Sequence, residues 1–200
     1  MDMIKMFDQQ RIKSVCKHEA GHYLVAKLLG FKTHGISIKV HFPIGHEGGS
    51  TIEPSLPGIT NIDLLKSHLR KRIQILYAGV ISEAFHNENT YDSDYALKEW
   101  RTGGGRDDYS KIRELTHILR NISFPSSSNT DEMQSQLTKI DDELINLTGE
   151  TVSTNLRLIS SICDLLLKKV AHYDEHFELS EGEILELPSM RNLFPKETTS

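Results

Sequence analysis

The residues best suited to chemistry sit near the start of the chain, where His18, Glu19, Ala20, Gly21 and His22 spell HExxH. Imidazole nitrogen is a favoured zinc ligand, and two histidines four apart on a helix lie one above the other on one face. The glutamate between them stands beside the pair, where it can accept a proton from an attacking water. The spacing therefore points to metal-assisted hydrolysis, provided that the segment is helical and the histidines face inward. A pair of hydrogen-bonded core histidines is the plainer alternative, and the surrounding pattern has to decide.

That pattern is helical over about 8–29, with Gly30 as a natural stop. At about 100° per residue, Val15, His18, His22, Val25 and Leu29 fall on one stripe and Lys13, Lys17 and Lys27 on the opposite side. The histidines are thus expected to point into the protein. Gly21 costs about 1 kcal/mol relative to Ala in a helix interior, which suggests the close approach of another backbone, such as a strand laid over the site. Cys16 points away from His18 on the wheel and reads as core filling.

The elements around this helix follow from composition and period. Residues 31–53 contain the alternating, β-branched ISIKV and then GGSTI, a small hairpin closed by Pro54 and Pro57. A second helix is expected over 61–85 and a third over 107–119, after the glycine run Gly103, Gly104 and Gly105, which reads as flexible. A polar Pro/Ser-rich loop covers 121–130. Helices are expected over 131–147 and 151–172, with a short acidic helix near 180–186. The class is mainly α with a small β-hairpin or sheet.

The chain has 200 residues, enough to bury a core without disulfides. Its net charge is -5 with scattered basic residues, which argues against a nucleic-acid partner. Two cysteines without paired spacing, no visible secretory signal and no long apolar run make a cytoplasmic protein with free thiols, not inserted in a membrane, the default expectation. No GxxxxGK[ST] loop is present, so ATP use through that motif is not expected.

HEAGHYLVAKLLG resembles the HEAGHALVA-type motif of the FtsH peptidase family, the protease domain of membrane-bound AAA+ proteases. The resemblance continues in order through GISIKV with GGSTIEPSLP, ILYAGVISEAF, TGGGRDDYSKI and LLKKVAHYDEHFELSEGEI, so it spans nearly the whole chain. It implies a single zincin-like peptidase domain over 1–200, with a catalytic core over 1–120 and C-terminal helices over 131–200. It also implies Zn2+ as cofactor, protein or peptide substrates, and a third zinc ligand that is an aspartate of the Gly-rich segment. Asp107 and Asp108 both match that position. Asp108 shares a helix face with Ile112, Leu115 and Leu119, which favours it as the ligand beside His18 and His22 and leaves Asp107 to cap the helix. Glu83 is a rival ligand, or a residue that supports one. Glu19 is the implied catalytic base. Unlike the family, the chain carries no AAA+ module or membrane anchor, and Val80 replaces the usual arginine of the LAGRAAEEL-type helix. Such a domain would act alone on accessible chains, self-associate, or be served by a separate ATPase or adaptor.

His172 to His176 fit HxxEH, the inverted zincin pattern, but stand at an expected helix end before a polar turn and read as a solvated, acidic terminus. His34, His41 and His46 flank the hairpin and read as surface or turn residues. The strand over 36–40 is the expected edge for an extended substrate. The rival functions are a catalytically silent metal-binding or regulatory protein, and a deformylase-type amidase, which would need a cysteine ligand.

Overall fold

The computed structural model describes residues 9–41, 45–53, 58–87, 90–126 and 129–195; the expected helix start at Asp8 and the closing prolines Pro54 and Pro57 lie outside them. In chain order the elements are α1 (Gln9–Leu28), β1 (Thr33–Val40), β2 (His46–Ile52), α2 (Ile62–Ala84), β3 (Phe85–Asn87), β4 (Thr90–Tyr91), α3 (Ser93–Thr102), α4 (Arg106–Ser123), α5 (Thr130–Thr154), α6 (Leu156–Leu167), β5 (His176–Ser180), α7 (Glu181–Leu185) and α8 (Pro188–Leu193). The protein is mainly helical with a small antiparallel sheet. No helix among the described residues is long and apolar enough to cross a membrane.

The HExxH segment lies inside α1, which the fold surrounds. Its neighbours are α2, α6, β1 and β2. Ile12, Val15, Cys16 and every residue from His18 to Ala26 are buried. The wheel suggests a single inward stripe; instead the helix is central, so the side facing away from the histidines is buried as well. Cys16 there is fully buried against α6, and the Cys163 sulfur, then burial, push its thiol pKa up. The helix ends where expected. Gly30 takes φ 82°, its N–H donates to the Lys27 carbonyl (3.1 Å), and Phe31 N–H donates to the Ala26 carbonyl (2.9 Å). This paired arrangement satisfies carbonyls that a helix end otherwise leaves open.

Residues 31–53 form the expected hairpin, with Ile36 opposite Ser50, Ile38 opposite Gly48 and Val40 opposite His46. Ile36, Ile38 and Val40 are buried, as a period of two requires. The sheet has a third strand that the sequence reading lacks. β5 pairs with β1, placing Leu179 opposite Ile36 and Phe177 opposite Ile38, so the order is β2-β1-β5. This corrects the expected substrate edge: β1 is the middle strand, hydrogen-bonded on both sides, and β2 is the outer one beside α1.

Several boundaries also shift. The helix expected over 151–172 is divided differently: α5 runs through Gly149 to Thr154, and α6 begins at Leu156. Leu144, Thr148 and Val152, four apart on α5, are fully buried and outweigh the cost of a glycine in the interior. His172 to His176 lie outside any helix. Asp174 has φ 59° and His176 opens β5, so the helical spacing that HxxEH needs is absent. The short α7 matches the expected acidic helix and carries a capping box between Ser180 and Glu183.

Candidate metal centre

α1 and α2 run antiparallel and touch closely. A Cβ on Gly21 would meet the Ala78 carbonyl oxygen at 2.6 Å, so the backbone that needs this glycine belongs to α2 and not to a strand. The register sets His18 beside Glu83 and His22 beside Ile75. α4 then brings in Asp108. Its Oδ2 lies 2.9 Å from His22 Nε2 and 3.2 Å from His18 Nε2, and the two Nε2 atoms are 2.9 Å apart. Among the described residues these three side chains form the one group of His, Cys, Asp or Glu whose ligand atoms all lie within 4.8 Å of one another.

The far sides of the rings define what the near sides can do. The Ile75 carbonyl can only accept, so His22 Nδ1 carries a hydrogen and donates it (2.6 Å). His18 Nδ1 donates to Glu83 Oε1 (2.6 Å). Ser14 Oγ and the Tyr95 hydroxyl both donate to Glu83 Oε2, the latter at 2.7 Å. In neutral rings both Nε2 atoms therefore present lone pairs to each other and to a carboxylate oxygen. Three acceptors at that range repel one another unless a cation lies among them.

The charges agree with that demand. Burial opposes ionising His18 most strongly, yet hydrogen bonds to Asp108 and Glu83 outweigh it and raise the pKa well above the usual imidazole range. Burial likewise pushes the Asp108 carboxyl up, and the bonds from His18 and His22 overcome it, holding the acid far below its ordinary value. Glu83 is lowered against its own burial by His18, Ser14 and Tyr95.

Two imidazole nitrogens and one carboxylate oxygen, each ring held from behind, are a donor set that suits zinc with a position left open. Ligand atoms about 2.0–2.1 Å from such an ion stand about 3.3 Å apart. The observed triangle is only a few tenths of an ångström tighter by that measure, so the residues present fit the ion.

Comparison with protein-family models finds no match, and comparison with curated proteins finds none either. The site is therefore read from its own geometry.

That geometry separates the aspartates. Asp107 is exposed in the first turn of α4 and does not cap it; the N-cap is Gly105, which has no side-chain bond. Glu83 sits behind His18 and not beside Nε2. Replacing Glu83 with alanine should lower zinc affinity about 10–100-fold, read by competition with a chromophoric chelator. An unchanged affinity would mean that the carboxylate does not hold the ring.

Glu19 lies on the neighbouring side of α1, buried under β2. Ser50 Oγ donates to the Glu19 carbonyl (2.7 Å), with Glu19 Oε2 at 3.3 Å. A Cβ on Gly48 would come within 2.8 Å of Glu19 Oε1, so the strand can pass this close only without a side chain there. His18, His22, Glu19 and Asp108 all line one cleft of about 1170 Å³.

Sequence reasoning missed several residues of this cleft. Gly79 of α2 faces His18 and His22 directly, since a Cβ there would stand 2.5 Å from both Nε2 atoms. His46, read as a surface residue, lines the cleft, and burial followed by the charge of His18 lowers its pKa. His34 and His41 do not line the cleft; His34 pairs with Glu53, and His41 with Glu47 and Asp174. Of the glycines before Asp108, Gly105 serves packing: a Cβ there would meet Val80 Cγ2 at 2.2 Å. Val80 is thus part of the surface on which the start of α4 seats.

Proposed function

We propose that this chain is a zinc-dependent endopeptidase acting on unstructured protein segments, resembling the FtsH peptidase domain. The observation that carries the reading is the convergence of His18 Nε2, His22 Nε2 and Asp108 Oδ2, with both Nδ1 hydrogens committed elsewhere, beside a buried glutamate. When bound, zinc supplies a Lewis acid that polarises a carbonyl and acidifies water. His18, His22 and Asp108 would hold it. Glu19 takes the proton from the attacking water and returns it to the departing amine. Ser50 and the narrow passage at Gly48 fix where that carboxylate stands. An extended substrate adds to the outer edge of β2, whose backbone crosses directly over Glu19. No cysteine belongs to the ligand cluster, which favours a peptidase over a deformylase-type amidase.

The test is removal and return of the metal. Chelation should abolish cleavage of casein by the zinc-loaded protein, and stoichiometric zinc should restore it. Zinc at about 100 times its dissociation constant contributes about 2.7 kcal/mol, which for a domain of this size raises the melting temperature by about 5–10 °C. Full cleavage by protein shown to be metal-free would refute the proposal.

A further inference from the structure

Arg72 lines the same cleft as His18, His22 and Asp108. It stands on α2 about one turn before Ile75, whose carbonyl holds His22. The side chain is half-buried, yet among the described residues its guanidinium makes no hydrogen bond or ion pair. Two other cations of the cleft are engaged: Lys17 donates to the Phe85 carbonyl, and Lys111 lies 3.8 Å from Asp108 Oδ1. Burial lowers the Arg72 pKa, and the charge of Asp108 alone opposes that effect. Asp108 gives its Oδ2 to the two histidines and makes no hydrogen bond or ion pair with the guanidinium.

Arginine stays charged and carries five donors in a planar fork that matches a carboxylate. Placing such a group in a partly desolvated wall costs free energy unless an anion meets it. We propose that Arg72 binds a carboxylate of the substrate and thereby sets specificity, an inference that rests on the peptidase reading given above. The carboxylate belongs either to an acidic side chain near the scissile bond or to the C-terminus of the peptide. Both present the same two oxygens to the fork, and bidentate pairing is the strong form of this contact.

The experiment separates the two sources and stands apart from catalysis. Fluorescent hexapeptides, with Glu or Gln placed at each position in turn and the C-terminus free or amidated, are titrated against zinc-loaded protein carrying Glu19→Gln. One acidic position, or the free terminus, should bind about tenfold or more tightly than its neutral match. Adding Arg72→Gln should bring that ratio close to one. Arg72→Lys should retain part of it, and Arg72→Glu should reverse it in favour of lysine-bearing peptides. Equal ratios with and without Arg72→Gln overturn the inference, as does the absence of binding by every peptide. Cleavage of the same peptides by protein with Glu19 intact reports separately on hydrolysis. Arg72-dependent binding without cleavage would keep the carboxylate site and remove the peptidase reading.

Discussion

Protein carrying Glu19→Gln is expected to keep its zinc and to lose peptide cleavage by a factor of about 10²–10⁴, the usual contribution of a positioned base. Glutamine has nearly the shape of glutamate, which matters because the side chain lies against β2 at Gly48. It can still accept a hydrogen bond from Ser50 through its amide oxygen, so helix and strand keep their spacing. What it lacks is the capacity to take a proton. Since Glu19 is not among the three convergent side chains proposed to hold zinc, metal content should stay at the wild-type level. Turnover of a fluorogenic peptide and zinc analysis on the same sample decide the matter. Equal turnover in both proteins would eliminate Glu19 as the base, whereas loss of zinc would make it a ligand and redraw the site.

Gly79→Ala is the second large effect, and it comes from a residue with no chemistry of its own. A Cβ at this position stands 2.5 Å from His18 Nε2 and from His22 Nε2, about 1 Å inside the separation at which non-bonded heavy atoms rest. The rings cannot swing away freely, because their Nδ1 atoms are tied to Glu83 and to the Ile75 carbonyl. The added methyl therefore competes for the space in front of the ligands. Zinc affinity should fall at least about 100-fold, the upper range for losing a ligand's support, and the fold should lose about 1–3 kcal/mol to overpacking. Gly149→Ala is the control, since a Cβ there meets nothing within 4 Å on α5, and it should be neutral or gain up to about 1 kcal/mol. Chelator competition and thermal melts read both. Wild-type zinc affinity in Gly79→Ala would contradict the placement of the ligand pair against α2.

The parts of this site that were legible in the sequence are those fixed by periodicity or residue type. The inward direction of His18 and His22 and the preference for Asp108 over Asp107 follow from angles along their own helices, and the stop at Gly30 from the residue type. The parts that were not legible depend on how two elements register. Whether Glu83 is a ligand or holds a ligand is decided by an antiparallel fit of α1 to α2, and Gly79 faces the site for the same reason. The sheet was half visible. β1 alternates cleanly, but β5 buries only Leu179 among its five residues, so FELSEGE looks like a polar turn until β1 is there to pair with it. The helix α3 was missed because it is short and polar, with only Ala96 and Trp100 buried. The break between α5 and α6 was misplaced because a glycine is a weaker stop than a buried row of side chains.

The third strand has a consequence for the order in which the molecule can be made. β5 comes from the opposite end of the chain to β1, and β1 in turn carries the strand that lies over Glu19. Pairings between such distant segments form late, because a long loop has to close before they return any free energy. The helices that supply His18, His22 and Asp108 can assemble earlier from nearer neighbours. During synthesis, then, these three side chains can meet before the three-stranded sheet is complete. A chain released short of residue 176 would bring His18, His22 and Asp108 together under an unsupported hairpin, with the inner strand left as a second sticky edge.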